Sequence, residues 1–330
     1  MKRWIGNIAA LAGSALLMAA TFEVACRTVV DTGLQYHIEM WKYAVTLKRI
    51  SANPAIGHEH VPGATGRLMG SDVAINSQGL RNAEVGAKSE GARRILMLGD
   101  SITFGWGVGQ NETLPVRLSE ALAARGAPAE VINSGVGNYN TAMEVAWFRE
   151  RGLGYAPDTV VLNYFINDAE PTPVYRDVPW FARHSYSYAV LGGAWDAFKR
   201  RVTGDEQDWR SYYAGLYADG APGWQKAQQE IGALAALCRE KGIRLVLAHI
   251  PELHELKPYA FPEVQTKVQA VAAANGIEYV DLLPAVAGEV PSSLWVTVPD
   301  PHPNAKGQTL LAGTLADYLV QHPQAAATPE

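Results

Sequence analysis

The chain has 330 residues and a formal net charge of −5, and its 48% hydrophobic and 18% charged residues are typical of a folded globular protein with one large domain or two small ones. The acidic balance argues against nucleic-acid binding, because there is no basic excess to neutralise phosphates. The two cysteines, Cys26 and Cys238, argue against a disulfide framework and against a cysteine-rich zinc site.

The N-terminal segment has the pattern of a membrane helix. Residues 4–22 include no charged side chain, and a helix of that length measures about 28 Å, close to the hydrocarbon thickness of a bilayer. Lys2 and Arg3 precede it, which favours a cytoplasmic N-terminus. A cleaved signal peptide and a buried helix are the alternatives. Cleavage needs small residues one and three positions before the cut, a requirement not met after Ala20 or Ala25.

We therefore predict an uncleaved signal anchor over residues 1–27 in a single-pass protein of the cytoplasmic membrane, with the rest of the chain on the periplasmic or extracellular side. Residues 28–91 are predicted to form a juxtamembrane helix and a loop-rich extension. Apolar side chains recur every three or four residues between 24 and 50, as on a helix. Frequent glycine and proline between 52 and 91 predict loops with one short hairpin.

Residues 92–322 alternate between short apolar runs and helical patterns. The predicted strands are residues 94–98, 130–133, 159–164, 243–247 and 277–281. The predicted helices are residues 114–125, 141–151, 225–241, 262–275 and 304–320. This alternation predicts an α/β protein with three layers, α/β/α, and about five parallel strands. Residues 323–330 are expected to be a frayed tail.

Residues 169–223 interrupt the alternation and are too long for a plain loop. They are rich in tryptophan and tyrosine, and we expect short helices over the top of the sheet. Their aromatic side chains either build a small satellite core or serve as a lid or stacking platform for a sugar ring.

Polar residues stand where the predicted strands end. Asp100 and Ser101 follow the first strand, Asn167 follows the third, and His302 comes after the fifth. The carboxyl ends of parallel strands meet at one edge of a sheet, where ligands bind. A serine, a histidine, an aspartate and amide donors are the components of an acyl-transfer site. Taken alone, however, Ser101 could simply cap the following helix.

At these positions the sequence resembles the SGNH, or GDSL, family of serine esterases and acyltransferases, over residues 77–318. The resemblance is carried by Gly-Asp-Ser-Ile-Thr-Phe-Gly at 99–105, Gly137, Asn167-Asp168 and His-Pro-Asn at 302–304. A membrane anchor and the Asn-Ser-Gln-Gly-Leu-Arg run at 76–81 are similar to a bacterial branch of that family. The resemblance implies a flavodoxin-like SGNH fold.

The resemblance also implies a role for each site residue. Ser101 is the expected nucleophile and His302 its general base. Asp300 is the expected acid that fixes the tautomer of the imidazole. The expected oxyanion-hole donors are the Ser101 N–H, the Gly137 N–H and the Asn167 side-chain amide.

Asp100 and Asp168 are expected to support these residues by hydrogen bonding. Two positions depart from the family pattern. The usual acid stands three residues before the histidine, whereas Asp300 stands two before it, with a backbone carbonyl as the alternative orienting group. Phe165 replaces a common glycine before Asn167, which predicts a narrower pocket. His58 and His60 alone make a weak metal site, so we expect neither a metal nor a cofactor.

The expected function is hydrolysis of an acyl ester, or O-acyl transfer, through an acyl-enzyme on Ser101. The expected partners are the membrane and an acyl-ester substrate, an acetylated glycan of the cell envelope or a lipid, and no nucleic acid. Protein partners are not predicted. The alternative function is a non-catalytic, envelope-anchored protein that binds carbohydrate or assists assembly on the same fold.

Overall fold

The computed structural model describes residues 2–174, 178–203, 208–298 and 300–323. The predicted tail therefore lies, from residue 324 onward, outside the described residues. Among the described residues, Arg3–Val30 is the one helix long and apolar enough to cross a membrane, a criterion that a signal sequence also meets.

The N-terminal extension contains more regular structure than its glycine and proline content predicts. Its first helix is α1 (Lys2–Ala25), which continues as a π-helical turn over Cys26–Val30, and its second is α2 (Tyr36–Thr46). Two antiparallel hairpins follow. The first pairs β1 (Lys48–Ile50) with β2 (His58–His60), and the second pairs β3 (Thr65–Leu68) with β4 (Ser71–Ala74). The prediction of one helix between 24 and 50 is wrong. The helical structure is interrupted between Val30 and Tyr36, where Gly33 has a φ of +76°. The last residues of this stretch, from Lys48 to Ile50, form the strand β1.

A five-stranded parallel sheet forms the centre of the protein, as predicted. The strands are β5 (Arg94–Leu98), β6 (Glu130–Asn133), β7 (Thr159–Tyr164), β8 (Arg244–His249) and β9 (Glu278–Asp281), in the spatial order β6-β5-β7-β8-β9. The order reverses at β5, so the crevice of this sheet opens at the carboxyl end of β5.

Helices cover both faces of the sheet, which confirms the three-layer architecture. The α-helices after β5 are, in chain order, α3 (Ser101–Phe104), α4 (Leu114–Ala124), α5 (Thr141–Glu150), α6 (Trp180–His184), α7 (Tyr186–Thr203), α8 (Trp209–Leu216), α9 (Pro222–Glu240), α10 (Pro262–Ala274) and α11 (Ala305–Gln321). The leucine-rich faces of α4 and α11 pack on one side, and α5, α9 and α10 pack on the other. A short antiparallel ribbon, β10 (Trp295–Thr297) and β11 (Asp300–Pro303), precedes α11.

The aromatic insertion divides into two parts. Around α8, Trp209 and Tyr213 pack against the main core, and the Tyr217 hydroxyl donates to the Ile166 carbonyl at 2.9 Å. Trp180 and Trp195, on α6 and α7, are instead 75% and 59% exposed. Packing in a core therefore explains the aromatic side chains around α8, but not those on α6 and α7.

Arg81, the last residue of the Asn76–Arg81 run, ties the extension to the first turn after β5. Its guanidinium is buried and donates to the carbonyl oxygens of Gly105 at 2.5 Å and Val108 at 2.7 Å. Burial lowers the pKa of Arg81 to about 10, so the group is still charged at neutral pH.

Arg81→Met should destabilise the fold, because it leaves these buried carbonyls without their charged donor. We expect the free energy of unfolding to fall by about 3 kcal/mol. Arg67→Met is the matched control, because the exposed Arg67–Asp72 pair contributes about 1 kcal/mol or less. Urea unfolding of the full-length chain measures both, and equal losses would contradict this account of Arg81.

Candidate active site

The first strand delivers Ser101 to the crevice through a tight turn. The chain passes from β5 through Gly99 and Asp100 directly into α3. The Asp100 carboxylate caps α3 by accepting from the Ile102 N–H at 2.9 Å. Ser101 is therefore the first residue of the helix, and the interpretation of Ser101 as its cap is wrong. The serine hydroxyl is left for another partner.

That partner is His302, which lies 201 positions further along the chain. Ser101 Oγ is 2.9 Å from His302 Nε2, and His302 Nδ1 is 2.5 Å from Asp300 Oδ1. The Asp300 carboxylate can only accept here, so Nδ1 carries the ring proton. Nε2 then has a lone pair directed at the serine hydroxyl, which is the tautomer a general base needs.

Asp300 reaches the imidazole despite its unusual spacing. In the extended strand β11, residues two apart lie on the same side, so Asp300 and His302 face each other. Asp300 is only 1% exposed and also accepts from the Trp106 indole N–H at 2.8 Å. Burial alone would raise the pKa of Asp300, but the hydrogen bonds from His302 and Trp106 outweigh it and hold that pKa below its usual value. A side-chain carboxylate, not a backbone carbonyl, orients the ring.

The third strand brings Asn167 to the same place. Asn167 follows β7, and its side-chain N–H donates to Asp100 Oδ2 at 3.2 Å. Asp168 is buried and accepts from the Phe165 N–H at 2.7 Å, so it supports the turn and does not contact Ser101. Burial raises the pKa of Asp100 and, more strongly, that of Asp168.

Ser101 and His302 line a cavity of about 200 Å³. Polar or aromatic residues from five parts of the chain form much of the remaining wall: Tyr36, Asn138, Phe165, Asn167, Glu170, Tyr213 and Glu252. Apolar residues complete it: Ile102, Leu253, Pro301 and Pro303. The Tyr36 ring, from α2, stacks on the His302 ring with 6.4 Å between centroids. Phe165 lines the cavity at the position where the resemblance predicted a narrower pocket.

Gly137 does not occupy the position that the resemblance implied. Its N–H donates to the Tyr43 hydroxyl at 2.9 Å, so it points to the N-terminal extension instead of Ser101. A Cβ at this position would lie 2.6 Å from the Tyr43 ring. Glycine is therefore needed here because α2 packs against it, and the oxyanion-hole assignment of Gly137 is corrected.

The next residue, Asn138, lines the cavity in its place. Asn138 has a φ of +67°, a left-handed conformation that asparagine tolerates better than most residues. Two buried groups of the extension hold the Gly137 carbonyl before it: Lys48 Nζ at 2.5 Å and His58 Nε2 at 2.9 Å. Lys48 Nζ also lies 2.9 Å from Asn138 Oδ1. This contact ties the turn directly to β1.

The N–H of Gly137 is held as well as its carbonyl, by a chain of hydrogen bonds. Gly137 donates to Tyr43 Oη at 2.9 Å. His60 Nδ1 lies 3.2 Å from the Gly79 carbonyl, which can only accept, so Nδ1 carries the ring proton. His60 Nε2 therefore accepts from the Tyr43 hydroxyl at 2.7 Å. Burial, helped by the charge of Lys48, lowers the pKa of His58 to about 2 and that of His60 to about 3, so both rings are neutral. These two histidines position the backbone of the turn.

The structure brings together Ser101, His302, Asp300 and Asn167, which the sequence predicted. Other residues around them were not predicted. Tyr36, Tyr43, Lys48 and Trp106 stand in no motif that marks them as part of a site. Within the described residues, no group of three or more His, Cys, Asp or Glu side chains is placed to hold a metal ion.

The chain belongs to the GDSL-like lipase/acylhydrolase family, whose model matches residues 97–310. This membership confirms the resemblance and makes the protein an ester hydrolase by class. No protein with a curated description matches the sequence.

Several solved structures are similar in fold. The esterase EstA from Pseudoalteromonas sp. is 17% identical, with 69% of this chain and 97% of that chain covered and a TM-score of 0.45. The lipase/acylhydrolase from Enterococcus faecalis is 18% identical, with 71% and 100% covered and a TM-score of 0.43. A two-domain esterase described as active on acetylated mannans is 17% identical, with 70% and 49% covered and a TM-score of 0.44.

Proposed function

We propose that the protein is a serine esterase or O-acyltransferase that removes or transfers a short acyl group, acetyl above all, on a cell-envelope glycan. The observation that carries the proposal is the Ser101–His302–Asp300 chain of hydrogen bonds at the wall of a small polar cavity. Ser101 is the nucleophile, His302 the base, and Asp300 the group that orients the ring.

In the first step, Ser101 Oγ attacks the ester carbonyl carbon while its proton passes to His302 Nε2. The tetrahedral intermediate collapses, the bond to the leaving oxygen breaks, and His302 returns the proton to that oxygen. The product is an acyl-enzyme on Ser101. Water, or a hydroxyl of an acceptor, then attacks the acyl carbon while His302 takes its proton. The bond from the acyl carbon to Ser101 Oγ breaks, and His302 returns the proton to Oγ, which releases the acid or the new ester.

We assign three donors to the place where the oxyanion forms. The Ser101 N–H stands at the first position of α3, where a helix N–H has no partner within the helix. Asn167 and Asn138 both line the cavity, and we assign the Asn167 side-chain amide and the Asn138 backbone N–H as the other two donors. We assign Asn138 in place of Gly137, because Asn138 lines the cavity and Gly137 does not. Each such donor contributes about 3 kcal/mol to lowering the barrier.

The size and polarity of the cavity favour a short acyl group on a sugar. A volume of about 200 Å³ is smaller than the roughly 300 Å³ or more of pockets that enclose drug-sized ligands. A long acyl chain would not be enclosed. The side chains of Glu170, Glu252, Tyr36 and Tyr213 offer acceptors and hydroxyls that suit the hydroxyl groups of a glycan.

The same proposal includes a membrane anchor formed by α1, with Lys2 and Arg3 on the cytoplasmic side and the enzyme domain in the periplasm or outside the cell. Contacts made by the residues just after the apolar stretch favour an anchor that is not cleaved. Glu23 binds the backbone of Tyr186 and Ser187, and Arg27 binds the carbonyl of His184. Cleavage after Ala20 would separate the anchor from this contact, and cleavage after Ala25 would remove Glu23.

Ser101→Ala should lower kcat on p-nitrophenyl acetate by at least about 10³-fold, because no other group in the cavity can form the acyl-enzyme. Asp300→Asn should lower it by about 10²-fold or more, since Asn stabilises the wrong imidazole tautomer. The exposed Ser292→Ala is the matched control and should retain wild-type turnover. The full-length protein in detergent serves for all three, and equal rates for wild type and Ser101→Ala would defeat the proposal.

Transfer and hydrolysis are separated by the fate of the acyl group. With an acetyl donor labelled in the acetyl carbon and an envelope glycan as acceptor, a transferase places label on the sugar and a hydrolase releases labelled acetate. Both products should disappear in Ser101→Ala. Glycan binding without either product in the wild type would instead support the non-catalytic alternative.

A further inference from the structure

The outer side of the aromatic insertion is an apolar surface without a partner among the described residues. Helix α7 is amphipathic. On its inner side, Ala189 is buried and Gly193 packs against the His37 ring. Its outer side and α6 carry large apolar side chains that are 47% to 75% exposed, at Trp180, Phe181, Tyr188, Leu191, Trp195 and Phe198. We call these six residues the insertion face.

The insertion face is attached to the end of α1. The Glu23 carboxylate accepts from the Tyr186 N–H at 2.9 Å and from the Ser187 N–H at 2.8 Å, so it caps the first turn of α7. Arg27 binds Glu23 at 2.7 Å and lies over the Tyr186 ring at 4.5 Å. The Trp41 indole N–H donates to the Ala182 carbonyl at 2.8 Å, which fixes α6 as well.

This attachment sets the height of α6 and α7 relative to a bilayer. Glu23 is the first charged residue after the uncharged stretch 4–22, whose helical length of about 28 Å matches the hydrocarbon layer. If α1 spans the membrane, Glu23 stands where hydrocarbon meets headgroups. The first turn of α7, whose N–H groups Glu23 binds, stands at the same level, and α6 directly precedes it.

The amino-acid composition of the insertion suits the boundary between the hydrocarbon layer and the headgroups. Tryptophan and tyrosine are enriched where the apolar core of a bilayer meets water, and they supply three of the six side chains of the insertion face. Residues 178–203 contain four arginine or lysine residues and one acidic residue, against a net charge of −5 for the whole chain. A basic amphipathic helix of this kind binds surfaces of anionic lipid.

We propose that the insertion face lies in the outer headgroup layer of the bilayer beside α1, and that it holds the active-site cavity at the membrane surface. The inference rests on the proposed anchor and enzyme, and it narrows the substrate to an acyl ester carried at a lipid surface, such as a glycan attached to a lipid.

The path from this face to the site is short. Gly193 of α7 packs so closely on His37 that a Cβ at this glycine would lie 3.4 Å from the ring. The His37 ring contacts the Tyr36 ring at 5.9 Å, and Tyr36 stacks on His302. Two side chains, His37 and Tyr36, therefore separate the cavity from the helix that we place on the lipid. Among the described residues of the insertion, only Glu170 and Tyr213 line the cavity, so the six residues of the insertion face do not form a platform for the reacting sugar.

Spin labels test the membrane contact without any use of activity. Leu191→Cys and Phe198→Cys are labelled in the full-length protein, reconstituted in vesicles of phosphatidylcholine and phosphatidylglycerol. Glu120→Cys, on the charged outer side of α4, is the control. The two native cysteines are buried, and wild-type protein gives the background. We expect labels at 191 and 198 to collide more with oxygen than with a water-soluble nickel chelate, and the label at 120 to do the reverse.

Two results would overturn the membrane contact. One is that the labels at 191 and 198 are as accessible to the nickel chelate as the label at 120, which places the face in water. The other is spin–spin broadening at 191 or 198, which would mean that a second copy of the chain covers the face. Neither of these two measurements depends on whether Ser101 is the nucleophile.

Kinetics test the consequence for substrate. The triple variant Leu191→Gln, Trp195→Gln and Phe198→Gln should keep kcat/KM for soluble p-nitrophenyl acetate, yet lose about tenfold or more on an acetylated glycolipid in the same vesicles, because it loses apolar contact with the bilayer. Val290→Gln, at an exposed apolar position elsewhere, should change neither. An equal loss on both esters, or no loss on either, would overturn the claim that this face presents the substrate.

Discussion

The hydrogen bond between Ser101 and His302 is the contact on which the proposed chemistry depends, and the fold brings its two residues together from 201 positions apart. The serine leaves the carboxyl end of β5, and the histidine arrives on β11 just before α11. Each is fixed by buried groups behind it. Asp100 caps the helix that begins at Ser101, while Asp300 accepts from both His302 and Trp106. A hydroxyl and an imidazole so fixed lose little freedom on reaching the reactive geometry.

The N-terminal extension is part of the site and not merely a linker to the anchor. Tyr43, Lys48 and His58 hold Gly137 from both its N–H and its carbonyl. This leaves the following residue, Asn138, at the cavity wall. Tyr36 forms another wall of the same cavity. The segment between α1 and the parallel sheet therefore also shapes the cavity in which we propose that an ester carbonyl is bound.

Two of the candidate catalytic residues, Ser101 and Asn167, could be predicted because they follow strands of the parallel sheet, and buried parallel strands have a strong sequence pattern. The five strands were found within a few residues, and their carboxyl ends meet as expected. The oxyanion turn could not be assigned correctly. Which of the two neighbours, Gly137 or Asn138, faces the cavity depends on a bond to Tyr43 from an element 94 positions away.

The exposed insertion also lay beyond prediction from sequence. A run of aromatic residues at helical spacing has the same pattern whether it packs in a core or faces lipid. The exposure of these side chains in the folded protein excludes a core position. The bond from Glu23 to the start of α7, which supports the proposed place at the membrane, joins segments 163 positions apart. Likewise, the break at Gly33 divides a helical pattern that appears continuous from 24 to 50.

The central claim is that His302 activates Ser101, and a covalent probe measures this most directly. Full-length protein is treated with diethyl p-nitrophenyl phosphate, which phosphorylates an activated serine hydroxyl, and the peptides are read by mass spectrometry. The account predicts one adduct, on Ser101, and almost none in His302→Gln. An adduct that forms equally fast in His302→Gln, or that forms only on another serine, would contradict it.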